Sequence, residues 1–104
     1  MASNIAISSP FLKSFVHADV TVGTAKQALL APITDSYMKR IVVIVQNTSD
    51  TANVQVWGDS LGASSTNGIV VFPKSSLVLD NYNGGLWSKS SIAGTSVHVA
   101  YSAV

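Results

Sequence analysis

The chain has no cysteine and no glutamate, and only three of its 104 residues are proline. Without cysteine it can form neither a disulfide nor a thiolate metal site, which suits synthesis in a reducing cytosol. Charge is scarce. Lysine, arginine and aspartate together make up 11% of the residues, against about 25% in ordinary soluble domains. No apolar run approaches the roughly 20 residues that cross a bilayer, so no membrane partner is expected. The opening MASNIAISSP has neither the basic region nor the apolar core of a secretory signal, and synthesis in the cytoplasm is expected. The net charge is +1 and the adjacent basic pair is Lys39-Arg40. That is too little for the clustered basic face that binds nucleic acid.

What is present is apolar and β-branched. Apolar residues reach 47%, which excludes a disordered chain, and the length fits one domain. A free monomer usually keeps more surface charge than this. Charge depletion is the signature of a buried interface centre, so the composition predicts a protein packed against neighbours, as a homo-oligomer or in a larger particle.

Strand signals begin at His17. HADVTV places Val20 and Val22 on one face. KQALLAPI has capping-box spacing at Thr24 and Gln27, but Pro32 leaves barely two turns for a helix, so it reads as a strand. RIVVIVQ carries five consecutive Val and Ile residues, Ile41 to Val45, and predicts a central strand covered on both faces. QNTSDTAN supplies turn formers. VQVW alternates with Val54 and Val56 inward. GDSLGASSTNG is the longest polar loop, and its Asn67-Gly68 suits a positive-φ turn. IVVF stops at Pro73, SSLVLD puts Leu77 and Leu79 on one face, LWSKS is short, and TSVHVAY puts Val97, Val99 and Tyr101 opposite His98.

The prediction is all-β: a single β-sandwich or jelly-roll-like domain of about eight strands with turn signals between them. The sandwich is placed at 17–104, after an N-terminal arm at 1–16. Within the arm, Ser9 and Pro10 suit the start of a short helical turn through FLKSFV. An extended arm that anchors Phe11 and Phe15 to a neighbour is the other reading.

The order of segments also carries a resemblance. A basic residue precedes an apolar strand that ends in Gln-Asn (Arg40, Gln46, Asn47). A V-x-V-x-G strand follows (Val54, Val56, Gly58), then a Gly-Ile strand ending in proline (Gly68, Ile69, Pro73). Next come a Ser-x-x-Leu strand (Ser76, Leu79), an aromatic after a glycine-rich turn (Trp87) and a closing V-x-V strand (Val97, Val99). Over roughly residues 18 to 102 this resembles a small all-β protein common among virion structural proteins of tailed bacteriophages. Such proteins are similar to capsid decoration (cement) proteins, head-fibre bases and tail components. The resemblance implies a virion location on the capsid surface, the phage major capsid protein as partner, and trimers at threefold lattice positions. One departure stands out. The pattern often has Pro-Gly after the Gly-Ile strand and this chain has Pro73-Lys74, so a positive-φ turn is not expected there.

Nothing in the chain points to catalysis. His17 and Asp19 form H-x-D, which a strand puts on one face, but a nucleophilic site needs a third, orienting group. The pair reads as the polar face of an edge strand, and His98 as an outward strand residue. Asp50, Asp59 and Asp80 sit at turns without D-x-D spacing, whereas calcium needs several converging oxygens. No catalytic residue, cofactor or metal is expected. Asn47-Thr48-Ser49 matches a glycosylation acceptor, and its Asn and Ser read as turn residues. Trp57 and Trp87 could stack on a sugar, which gives the alternative of a receptor- or glycan-binding domain of a tail or head fibre. In an oligomer both fit an interface instead. The expected interface residues are Phe11, Phe15, Lys39, Arg40, Trp57 and Trp87.

Overall fold

The structure is a computed structural model, and it describes residues 14–34, 39–58 and 68–103. Eight strands follow one another: β1 (Ser14–Val22), β2 (Gln27–Leu30), β3 (Arg40–Asn47), β4 (Val54–Gly58), β5 (Ile69–Val71), β6 (Ser76–Asp80), β7 (Leu86–Ser90) and β8 (Thr95–Ala103). They form two four-stranded sheets, β1-β8-β3-β6 (sheet I) and β2-β7-β4-β5 (sheet II). Every pairing is antiparallel.

The pairing has a simple logic. β1 pairs β8, β2 pairs β7, β3 pairs β6 and β4 pairs β5. The chain is thus one long hairpin, β1–β4 against β5–β8, rolled so that successive strands fall in opposite sheets. That is the jelly-roll arrangement of a double-sheet β protein, and it agrees with the all-β sandwich expected from the sequence.

The alternation of the strands puts the core between the sheets. Val22, Leu29, Val43, Val45, Val54, Val56, Val71, Leu86, Val97 and Val99 are buried together. Valine dominates because its stiff, branched side chain suits a pleated surface, and burying each such side chain stabilises by about 1.5–3 kcal/mol. Val54, Val56, Val97 and Val99 point inward as expected. β3 is central in its sheet, with Val43, Val45 and Asn47 buried. Its other face is only partly covered: Val42 is buried, Ile44 is half-buried and Gln46 is exposed.

Asn47 explains the Gln-Asn end of β3. Its side chain is fully buried and donates to the carbonyls of Ala52 (2.7 Å) and Val71 (3.0 Å), while Oδ1 accepts from Ser49 N (3.0 Å). One amide therefore ties sheet I to the β3–β4 turn and to β5 in sheet II.

Two expectations need correction. The sandwich begins three residues before His17: Ser14, Phe15 and Val16 pair with Ala103, Ser102 and Tyr101. β8 is long enough to supply them with ladder partners, so these residues are extended and not helical. The rest of the arm, with Phe11, lies outside the described residues, as does Asn67. Secondly, Lys74 does take a positive φ, 61°. Ser75 N donates to Phe72 O (3.0 Å) across the turn, and a type II turn with proline at its second position needs positive φ at its third. Lys74 meets that demand without being glycine, and its Nζ donates to Thr48 O (2.9 Å) and pairs with Asp50 at 3.3 Å.

Candidate interaction surface

The jelly roll leaves two lateral sides where the sheets end. On one side the edge strands are β5 of sheet II and β6 of sheet I. β5 is three residues long, and Pro73 follows it closely. β6 carries Leu77 and Leu79 toward the core and Val78 outward. Because the strands at this side are short, the core is not closed over. Ile69, in register with the inward Val56, is 55% exposed, and Phe72 after β5 is 60% exposed; Val78 (50%) faces outward from sheet I and Val70, also exposed, faces outward from sheet II. Between the edges lies a small apolar groove of about 120 Å³, whose walls include Val56, Ile69, Leu77, Leu79 and Leu86. The sequence showed these residues as strand text. It did not show that IVVF would lie at an edge, because that depends on which strands pair.

Sheet II carries a second, polar groove of about 330 Å³ on its outer side, lined by Thr24, Asn53, Gln55, Val70, Lys89, Ser90 and Ser91.

The residues expected at an interface are scattered. Phe15 is on the outer face of β1, exposed, with its ring edge-on to His17. Lys39 is exposed just before β3. Trp57 and Trp87 face each other across β4 and β7. Trp57 is 5% exposed and Trp87 half-buried. A Cβ on Gly68 would come within 2.9 Å of the Trp57 ring, so the backbone there packs directly on the indole. Trp57 is thereby spent on packing within the subunit and offers no open platform.

Arg40 is the clear correction. It was expected at an interface and is 4% exposed, buried within its own subunit. The ladder of β3 against β8 slips between Arg40 and Val42. Such a bulge re-aims a side chain, and here it turns Arg40 to the inward side, opposite Ala103. Its guanidinium donates to the carbonyls of Gly84 (2.9 Å) and Ala31, lies 4.7 Å from the Tyr101 ring centroid, and its backbone N binds Asn83 Oδ1 (2.8 Å). Burial pushes its pKa below the ordinary value, with the nearby Tyr101 and Tyr82 acting in the opposite direction. Arg40 is an internal clasp between the β2–β3 and β6–β7 connections.

His17 and Asp19 share the outer face of β1, but Asp19 bonds His98 and not His17: Oδ1 lies 2.7 Å from His98 Nδ1. His98 Nε2 lies 2.9 Å from His17 Nδ1. Among the described residues no group of three or more His, Asp, Glu or Cys could hold a metal ion, and no helix is long and apolar enough to cross a membrane. Asp59 lies outside them. Asn47, the glycosylation-pattern residue, is fully buried.

No protein-family model and no curated protein matches the sequence. Among solved structures, the chain is similar to a protein from Bacillus endospore appendages, described as a family of disulfide-linked pili. The TM-score is 0.54 at 12% identity, over 97% of this chain and 96% of that one. At that identity the likeness shows the fold.

Proposed function

We propose that this protein is a non-enzymatic structural subunit of a bacteriophage virion, a decoration (cement) protein that binds and stabilises the assembled head. The observation that carries the reading is the β5–β6 side. Apolar side chains stand open there on a chain with 11% charge. Exposed apolar patches on soluble proteins mark interaction sites, and here the fitting occupant is a sister copy on the same lattice. The segment order resembling virion proteins supplies the phage setting, the major capsid protein as partner and a trimer as the expected oligomer. The jelly-roll fold suits the role, and its likeness to a pilus protein supports a reading as an assembling subunit. Disulfide linkage of the kind named for those pili is unavailable to a chain without cysteine.

Many weak contacts on one lattice gain strength by multivalency. A partner that binds only the assembled shell stabilises it by mass action. Neither effect requires a catalytic group.

The alternative, a glycan- or receptor-binding fibre domain, has one observation in its favour, the polar groove beside Lys89. Trp57 argues against it, since stacking on a sugar needs an open aromatic face. Particles lacking the protein are expected to assemble but to release DNA at lower temperature or under osmotic shock. A labelled copy should cover the head regularly in electron micrographs. Unchanged heat resistance with lost adsorption to host cells would favour the fibre reading.

A further inference from the structure

The outer face of β1 and β8 joins three residues that are distant in sequence. Asp19 stands opposite His98 in the ladder, and His17 stands opposite Ala100, two residues further along β8. The result is a linear array: Asp19 Oδ1, 2.7 Å, His98 Nδ1; then His98 Nε2, 2.9 Å, His17 Nδ1. An ionised carboxylate only accepts hydrogen bonds. His98 therefore carries a proton on Nδ1, and in its neutral form it directs the lone pair of Nε2 at His17. The two imidazoles lie 5.1 Å apart between centroids, and Phe15 meets His17 edge-on at 4.8 Å.

We propose that His98 Nε2 and His17 Nδ1 form a binding site for a divalent transition-metal ion, with Asp19 as the positioning residue. Three observations support it. First, a histidine that ligates a metal characteristically gives its other ring N–H to a carboxylate, which fixes the tautomer. His98 already has that arrangement. Secondly, the two ring nitrogens face each other at hydrogen-bond distance, 2.9 Å, so a turn of the rings lets both lone pairs point at one ion. Imidazole nitrogens suit divalent ions such as Cu²⁺ and Ni²⁺, and the ordinary affinity order puts Cu²⁺ first. Thirdly, the site is open. The His98 side chain is 32% exposed and that of Asp19 74%. The remaining coordination positions can take water or a donor from a neighbouring molecule, and the rings can turn toward a shared ion without meeting the core. For the ion to enter, the proton on His17 Nδ1 leaves to solvent while Nε2 of the same ring takes one up, which gives Nδ1 a free lone pair with no net change in charge on the ring.

The test uses the untagged full chain. Calorimetric titration with Ni²⁺, and electron paramagnetic resonance with Cu²⁺, should show one site per chain with nitrogen ligands. His17→Ala and His98→Ala should each weaken binding about tenfold or more, and Asp19→Asn by about tenfold, as loss of a second hydrogen-bonded layer does. Ring-proton NMR of the native protein needs no variant: substoichiometric Ni²⁺ should broaden the His17 and His98 signals first. Equal binding by native protein and the double histidine variant, or broadening centred elsewhere, would overturn the proposal. So would the absence of saturable binding.

Discussion

Along one lateral side of the sandwich the edge strands are β1 and β2; along the other they are β5 and β6. The first side is long on β1 and mixed in character, with Phe15 and Val16 exposed beside its polar residues. β1 runs nine residues and presents His17, Asp19 and Thr21 outward. Gln27 stitches the side together, donating to Thr21 O and accepting from Gly23 N, each at 3.0 Å. The second side is short and apolar, with Ile69, Val70, Phe72 and Val78 in the open. Natural sheets guard their edges with short strands, proline and lysine. β5 is only three residues long, and Pro73 and Lys74 follow it in the turn to β6. The β5–β6 side therefore offers little backbone for strand pairing but ample side-chain surface. Such an edge resists indiscriminate edge-to-edge growth.

The largest expected effect tests what holds the apolar side in place. Asn47→Ala removes two donors from buried carbonyls and one acceptor from a turn N–H, and should cost about 3–4 kcal/mol. Urea denaturation measures the loss, and hydrogen exchange should show β5 amides losing protection before those of β1. Loss of β1 protection first would break the contrast between the two sides.

Next comes Arg40→Ala, expected to cost about 2–3 kcal/mol, because two charge-assisted hydrogen bonds are lost while a buried charge is also removed. Association should be unaffected once folded protein is compared. A variant of native stability that fails to associate would return Arg40 to the interface.

Third, Ile69→Lys combined with Val78→Lys should weaken self-association at least about tenfold, or about 1.4 kcal/mol. Both side chains are exposed, so the stability of the folded subunit should change by only about 0.5 kcal/mol. Thr21→Lys, the matched charge on the β1–β2 side, should alter neither quantity. Light scattering and denaturation of the three proteins separate these outcomes.

The smallest effect concerns the β5–β6 turn. Lys74→Gly relieves a left-handed conformation worth about 1 kcal/mol and loses an exposed ion pair worth about 0.5 kcal/mol. A net gain of about 0.5 kcal/mol with unchanged association is expected from the midpoint of denaturation.

Much of the fold was legible because it is written in local alternation. Val54 and Val56, Leu77 and Leu79, and Val97 and Val99 declare their inward faces within a few residues. The short segment QALL was legible as β2 because Pro32 forbids a helix of useful length. What was not legible depends on partners far along the chain. Phe15 joins β1 because β8 extends to meet it. Arg40 turns inward because of a bulge against β8, and no residue near it announces that bulge. Trp57 is covered by Gly68 and faces Trp87, and neither contact has a sequence spacing that could reveal it. Asp19 finds His98 across 79 positions, so H-x-D suggested the wrong histidine. The apolar docking side could be foreseen only as a deficit of charge, because burial of IVVF or its exposure is decided by which strand lies beside it.

The central claim is that this subunit is made to pack against copies of itself. Sedimentation equilibrium of the native full chain at micromolar concentration tests it most directly. A trimer, or another defined oligomer, is the expected result. A single species of 10.8 kDa throughout the concentration range would contradict it.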